Sequence, residues 1–382
     1  AVYGNELVVS VTALEDFAAC PFKFFMRRGL QAEERLRFII DARETGSLAH
    51  VVLRAFHEAV TAGGRHWRDI EPQAARELVR QLGQSLLPSY RDGLFVATAQ
   101  ARFRAELLLN RLGQLVAQWV QWNREQYRFD PVRAEVEFGP GSGLPGWRLV
   151  LDSKHALVLR GRIDRVDVCR MDQGEEALVV VIDYKSRAQP LDSVKLAHGL
   201  ELQLLAYLSA LEHLADPQPL LSAGKLRPAG AFYVDLSGHR RPVRVRTEAM
   251  APGPKIELAP YQHRGRFDGG LLAYFDSRAA SSQGDQFKYR LLKDGRFDRY
   301  SEALDSEAFG ALLQQVEAHL KRIGTEIFAG TVAPAPYREG SETACDECAF
   351  RAVCRFDPWV QPYRVLRKPA QAKPNAEANQ EQ

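Results

Sequence analysis

Long apolar stretches, a leader-like start and a nucleotide-binding loop are all missing from this sequence. The longest compact apolar run, residues 177–182, is far shorter than the roughly 18 residues that a membrane-spanning helix needs. The first residues do not combine a basic segment with an apolar one, as a secretory signal would. We therefore expect no membrane partner and a cytoplasmic location. The pattern Gly-x4-Gly-Lys-Ser/Thr is also missing, so we expect no ATP hydrolysis by this chain.

Charge of one sign is not in excess either. The 382 residues include 51 lysines plus arginines and 48 aspartates plus glutamates, and the net charge of +3 does not by itself indicate a nucleic-acid partner. Arginine outnumbers lysine by 40 to 11. The planar arginine side chain suits phosphate, but genomic codon bias would give the same composition, and both explanations stay open. Because lysines are scarce, a lysine at an unusual position needs an explanation.

The residue pattern predicts an α+β fold. Apolar residues make up 46% of the chain and charged residues 26%, as in globular proteins. Thr12 and Glu15 form a capping box, which predicts a helix that ends near Cys20 because Pro21 follows. Apolar spacing predicts helices at 46–127, 200–214 and 306–323, strands at 134–138, 156–159, 161–168, 177–182, 230–236 and 243–245, and a hairpin at 287–297 around Asp294-Gly295.

These patterns divide the chain into five segments. The tail is rich in Lys, Pro, Ala, Asn and Gln, a composition typical of disorder. The expected segments are an N-terminal one with the first cysteine (1–45), a helical part (46–130), a sheet core with flanking helices and an inserted hairpin (131–330), a cysteine-bearing segment (331–360) and a disordered tail (361–382).

Two predicted neighbouring strands carry acidic residues and a lysine. Asp183 and Lys185 end the most apolar strand, and residues two apart on a strand share a face. If strand 161–168 pairs with it in antiparallel fashion, Asp164 lies beside Asp183. Two carboxylates suit a hard cation such as Mg²⁺, and a nearby lysine can help to activate water. The alternative is an ion pair at a strand end, which is common and contributes little.

Two helical positions fit the same interpretation. Residues 46–49 lead into a predicted helix, so we expect His50 near its start, where it could bind a metal or contact a phosphate. His57, two turns later, is expected to be structural. Gln203 and Tyr207 are four residues apart, share one helix face and could hydrogen-bond a phosphate or a base edge. By themselves they are ordinary helix-surface residues.

Three of the five cysteines are close together in the sequence. Cys345, Cys348 and Cys354 form the pattern Cys-x2-Cys-x5-Cys, and Cys20 stands alone near the other end. A cytoplasmic chain seldom keeps disulfides, so metal binding is the better interpretation. Thiolates suit zinc or an iron–sulfur cluster, and the spacing alone does not choose between these and free thiols. Cys169 is expected to be a small core residue.

Four motifs, taken in order, resemble the RecB-type nucleases of the PD-(D/E)xK superfamily. The motifs are Gly46-x3-His50, residues 161–167 (GRIDRVD), Asp183-Tyr184-Lys185 and Gln203-x3-Tyr207. The resemblance implies that His50, Asp164, Asp183 and the Tyr184 carbonyl hold Mg²⁺ or Mn²⁺. It also implies that His50, Asp164, Asp183 and Lys185 are catalytic, with Lys185 as the catalytic lysine. Gln203 and Tyr207 would bind the substrate.

A second resemblance involves the two ends of the chain. Residues 11–22, with Cys20-Pro21-Phe22, and the downstream cysteine pattern resemble AddB-type subunits of AddAB helicase–nucleases. This resemblance implies a [4Fe–4S] cluster held by Cys20, Cys345, Cys348 and Cys354. The implied fold is an α+β PD-(D/E)xK, restriction-endonuclease-like core with a large helical insertion and a terminal iron–sulfur staple. The implied function is exonuclease cleavage of single-stranded DNA, delivered by an AddA-like helicase partner, during double-strand-break end processing.

Two other functions stay open. One is a free-standing RecB-like exonuclease, and the other is a DNA-binding scaffold module with weak nuclease activity. The presence of Asp164, Asp183 and Lys185 argues against the scaffold. The chain starts with Ala1 instead of methionine, which favours a fragment of a longer subunit, although an engineered or processed N-terminus would look the same.

Overall fold

Helices and strands occur in groups along the chain and form an α+β fold, as the sequence predicts. The computed structural model describes residues 3–33, 39–171, 175–187, 189–238, 245–247, 258–278 and 281–368. The helices there are α1 (Val11–Ala19), α2 (Pro21–Phe24), α3 (Ala42–Thr61), α4 (Pro72–Leu86), α5 (Ala99–Glu125), α6 (Ser193–Ala197), α7 (Gln203–Glu212), α8 (Gln218–Leu221), α9 (Leu272–Phe275), α10 (Ser306–Phe328) and α11 (Arg351–Cys354). The strands are β1 (Glu6–Ser10), β2 (Asp130–Phe138), β3 (Trp147–Val150), β4 (Ala156–Arg170), β5 (Glu176–Lys185), β6 (Lys225–Asp235), β7 (Arg264–Asp268), β8 (Ala303–Leu304), β9 (Tyr337–Glu339), β10 (Glu342–Thr343) and β11 (Arg364–Val365).

One mixed sheet organises the molecule. Its strand order is β1-β4-β5-β6-β7-β8, and β2 and β3 both pair with β4. Strands β4 and β5 are antiparallel, with Arg165 opposite Ile182. The same register places Asp164 opposite Asp183. The antiparallel pairing on which the sequence argument depended is therefore present.

Strand β5 is buried on both faces, as its continuous apolar run predicts. Leu178, Val180 and Ile182 pack with side chains of α3, α4 and α5. Val179 and Val181 pack on the opposite face with side chains of α1, α7 and α10. The sheet therefore lies between two helical layers. The helical part that the sequence suggested was an insertion or a cap is one of these layers and shares its core with the sheet.

Helix α1 is capped differently from the prediction. The Ala13 N–H donates to Ser10 Oγ at 3.2 Å, so Ser10 is the N-cap. The predicted capping box of Thr12 and Glu15 is wrong. The helix ends at Ala19, immediately before Cys20, as the following proline predicts.

Helix α3 begins earlier than expected. Its N-cap is Asp41, whose carboxylate accepts the Glu44 N–H at 2.8 Å. His50 therefore lies in the middle of α3, and its predicted place near the helix start is wrong. The helix continues to Thr61 and carries His57 on its buried side.

The C-terminal segment forms a small second sheet of order β10-β9-β11. Arg364 and Val365 of β11 pair with Tyr337 and Arg338 of β9, so the predicted disordered tail does not begin at residue 361. Residues 369–382 lie outside the described residues.

The remaining predicted elements have mixed outcomes. Leu291 bridges Phe297 in antiparallel fashion around Asp294-Gly295, which supports the predicted hairpin. Residues 243 and 244 of the predicted strand 243–245 lie outside the described residues. Within the described ranges, the structure contains no helix with the length and apolar character of a membrane span.

Candidate active site

Asp183 and Lys185 lie on one face at the end of β5. The Lys185 Nζ is 2.7 Å from Asp183 Oδ2. Asp183 is 4% exposed, whereas the Lys185 side chain is 25% exposed and can reach a ligand. On the neighbouring strand, Asp164 Oδ2 accepts the N–H of Tyr184 at 2.7 Å. The structure therefore brings together the three residues that the sequence placed on two paired strands.

His50 approaches this strand pair from α3. Its Nδ1 lies 3.4 Å from Asp164 Oδ1 and 2.9 Å from Glu135 Oε1. Arg162 Nε lies 2.8 Å from the other oxygen of Glu135. Glu135 is thus a member of the site that sequence reasoning missed.

The backbone at Glu135 explains both its position and why it was missed. Strand β2 pairs Ala134 with Arg165 and Val136 with Ile163, so Glu135 lies across from Asp164. Its φ of 53° is in the left-handed region, which is strained for a glutamate and occurs most often where function needs it. In the sequence, Glu135 and Glu137 alternate with apolar residues in the same way. Nothing in that pattern distinguishes the site residue from an exposed acid.

Burial and close charges shift the pKa values of the site. Burial, followed by the charge of Asp164, raises the pKa of Asp183 to about 6, although Lys185 acts in the opposite direction. Burial lowers the pKa of His50, but the carboxylates of Asp164 and Glu135 outweigh it and raise the pKa to about 10. A protonated imidazole between two carboxylates indicates a place that favours positive charge.

Gln203 and Tyr207 of α7 lie beside the strand residues. The Gln203 Nε2 donates to Asp183 Oδ1 at 3.2 Å and to the Tyr207 hydroxyl at 3.3 Å. The Lys185 Nζ donates to Gln203 Oε1 at 3.4 Å. The two helix residues therefore hold the acid and the lysine of β5, a role in addition to the predicted contact with a substrate.

Tyr184 points away from this face, as strand alternation predicts. Its ring stacks on Trp119 with centroids 5.7 Å apart and meets the His50 ring edge-on at 5.6 Å. On the same side, Arg165 and Asp167 form a buried ion pair with Nε and Oδ1 2.8 Å apart. These contacts support the site from behind.

The oxygen and nitrogen atoms of the site suit a divalent cation. Within the part of the chain that the structure describes, His50, Glu135 and Asp164 are the one group of three His, Cys, Asp or Glu residues whose ligand atoms all lie within 4.8 Å of one another. Carboxylate oxygens are the preferred ligands of Mg²⁺ and suit Mn²⁺. Asp183 adjoins the group on the next strand. The donor set therefore fits a hard cation.

The two ends of the chain meet near the cysteines. Arg364 of β11 donates a hydrogen bond to the carbonyl of Ala18 in α1. Burial, followed by the neighbouring thiols of Cys20, Cys348 and Cys354, raises the pKa of Cys345. In the described residues these sulfurs do not form a group within 4.8 Å, so the structure does not show a cluster. Cys169 lies on β4 and is partly buried.

Comparison with known proteins gives the family. Residues 8–355 match the PD-(D/E)XK nuclease superfamily. Three curated relatives are named as one of the subunits of an ATP-dependent helicase/deoxyribonuclease. The protein of Desulforudis audaxviator is 34% identical over 380 residues, covering 96% of this chain and 31% of that protein. The proteins of Symbiobacterium thermophilum and Pelotomaculum thermopropionicum are 34% and 32% identical, over 96% and 94% of this chain and 31% and 30% of their own lengths.

These matches confirm the resemblance inferred from the motifs. The chain spans about a third of the length of the curated relatives it matches. The superfamily match covers β4, β5, α7 and the residues around Lys185. The chain therefore belongs to the PD-(D/E)XK nuclease superfamily.

Proposed function

We propose that this chain is a metal-dependent DNA nuclease domain of an AddB-like helicase–nuclease subunit. The observation that supports this most strongly is the meeting of His50, Glu135 and Asp164 with the Asp183–Lys185 pair at the ends of β4 and β5. Oxygen ligands next to a lysine suit hydrolysis of a phosphodiester. The relatives' name includes deoxyribonuclease, which supports DNA as the substrate.

Each side chain would have a distinct role. His50, Asp164 and Asp183, with the Tyr184 carbonyl, would hold Mg²⁺ or Mn²⁺, and Glu135 is positioned to join them. A bound divalent ion supplies positive charge that activates water and offsets charge on a phosphate oxygen. Lys185 would orient the attacking water and accept or return its proton. Gln203 and Tyr207 would contact the DNA while Gln203 holds Asp183 and Lys185 in place.

The finer features of this function come from the resemblance to AddB-type subunits. The substrate would be single-stranded DNA, cut as an exonuclease during double-strand-break end processing. The partner would be an AddA-like helicase–nuclease subunit that delivers the strand. Cys20, Cys345, Cys348 and Cys354 would hold a [4Fe–4S] cluster, whose thiolates lie farther apart than those around a single zinc ion. DNA as the substrate goes with the expected cytoplasmic location.

Cleavage of end-labelled single strands tests the proposal. The chain should cut a linear oligonucleotide in Mg²⁺ or Mn²⁺, stop in EDTA and leave a circular single strand intact. Asp183→Ala should abolish cleavage and keep DNA binding. Lys185→Ala should also lose cleavage but keep metal binding, because it removes no ligand. Glu137→Ala, which changes an exposed acid on β2, serves as the matched control.

The outcomes separate the open functions. Cutting of circular strands would overturn the exonuclease assignment. DNA binding without cleavage by the parent in either metal would favour the scaffold module. Equal rates for the parent and Asp183→Ala would show that the site is wrongly assigned.

A further inference from the structure

Glu15 makes a contact that its own helix does not explain. Its Oε1 accepts the backbone N–H of Gln203 at 2.8 Å, across 188 positions of the sequence. The sequence pattern assigns Glu15 to the start of α1, but Ser10 takes that role. The carboxylate is therefore free to act on α7.

The start of α7 needs such a contact. The first N–H groups of a helix have no partner within the helix, and Leu202, the residue before α7, has no side-chain acceptor. The preceding Glu201 has a φ of 55°, a left-handed conformation that only surrounding contacts hold in place. A carboxylate at a helix N-terminus satisfies an N–H group and also interacts favourably with the helix dipole.

Gln203 is the residue through which this contact reaches the site. Its side-chain amide bonds Asp183 Oδ1, the Tyr207 hydroxyl and the Lys185 ammonium. A shift of the first turn of α7 would move this amide away from both β5 residues. Helix α1 can resist such a shift because Leu14 and Phe17 anchor it in the core.

We propose that Glu15 is a positioning residue of the candidate active site. It fixes the start of α7 so that the Gln203 amide holds Asp183 and Lys185 in their working arrangement. The inference rests on the proposed nuclease function for its activity test. The same helix ends at Cys20, so α1 carries both a predicted cluster ligand and a residue that supports the site.

Three single variants test the role. Glu15→Ala should lower kcat by about tenfold or more, because a small displacement of positioning groups is costly, and should leave DNA affinity unchanged. Glu15→Gln keeps an oxygen that can accept the Gln203 N–H and should retain most of the rate. Asp16→Asn is the matched control, since Asp16 lies on the same helix but pairs with Lys23 and Arg27. Parent-like kcat in Glu15→Ala would overturn the proposal.

A double-mutant cycle tests the route. If Glu15 acts through Gln203, Glu15→Ala should add no further loss of rate in a Gln203→Ala background. An additive loss would overturn the proposal. The crystal structure of Glu15→Ala gives a readout apart from activity: the Gln203 amide should leave Asp183 and Lys185, and an unmoved amide would overturn the proposal. A displaced amide together with an inactive parent would overturn the nuclease function alone.

Discussion

At the scale of single residues, the two histidines of α3 have opposite surroundings. His50 faces Glu135 and Asp164, whereas His57 is 5% exposed and packs near Trp67 with ring centroids 6.2 Å apart. His50→Ala should therefore weaken metal use and lower the cleavage rate. His57→Ala should lower the free energy of unfolding and leave the rate of the folded enzyme unchanged. Equal losses of rate at matched folding would contradict this division.

His57 should also make stability depend on pH. Burial, followed by the charge of Arg165, lowers its pKa from 6.5 to about 4. The folded state keeps the ring neutral, while the unfolded chain binds a proton below about pH 6.5, so this stability is present above pH 6.5 and is lost as the pH falls toward 4. Between pH 7 and pH 5 the loss should be about 2 kcal/mol. His57→Gln should remove that portion, measured by urea unfolding at both pH values, and identical pH dependence in parent and variant would contradict it.

Glu135 provides a third residue-scale prediction. Glu135→Gln removes a negative charge 2.9 Å from His50 and should raise the Mg²⁺ concentration needed for half-maximal cleavage by about tenfold. Glu137→Gln, on the same strand but exposed, should leave that concentration unchanged. A common value for both variants would show that Glu135 takes no part in metal binding.

At the scale of elements, β4 and α7 fit together at a glycine. A Cβ added to Gly161 would lie 2.7 Å from the Tyr207 hydroxyl and 2.9 Å from Phe138 Cε1. Gly161→Ala should therefore displace Tyr207 and lower the free energy of unfolding by about 1–3 kcal/mol. Gly310→Ala in α10, where a Cβ meets nothing within 4 Å, should raise it by about 0.5–1 kcal/mol. Thermal unfolding of both variants checks the pair, and a neutral Gly161→Ala would contradict the packing.

Pairing between elements decides which parts of the site the sequence could predict. Asp164, Asp183 and Lys185 could be placed together because strand alternation is strict and the two strands follow each other. Glu135 could not, since only its left-handed backbone and the β2–β4 register distinguish it from Glu137. The role of Glu15 was missed for a related reason. A capping box describes contacts within one helix, whereas this carboxylate bonds a helix 188 residues away.

At the scale of the whole molecule, the predicted cluster would join the two ends of the chain. Cys20 and Cys345 are 325 positions apart, and closing such a loop is worth about 5–6 kcal/mol by the loop-entropy estimate used for disulfides. Cys20→Ala should lose iron and lower the melting temperature sharply. Cys169→Ala should keep its iron and lose about 1 kcal/mol or less.

Metal analysis and absorbance of anaerobically purified protein check this prediction. Stoichiometric zinc without iron would overturn the cluster and keep the staple. Loss of iron in Cys169→Ala with retention in Cys20→Ala would overturn the ligand assignment.

The most direct test of the central claim is the Mg²⁺-dependent rate of single-strand cleavage by the parent and by Asp164→Asn. Asparagine keeps the shape of the side chain and an oxygen that can accept the Tyr184 N–H, but it removes the charge that a metal ion needs. The account predicts that the variant folds and binds DNA like the parent and does not cleave at any Mg²⁺ concentration. Cleavage by Asp164→Asn at the parent's rate would contradict it.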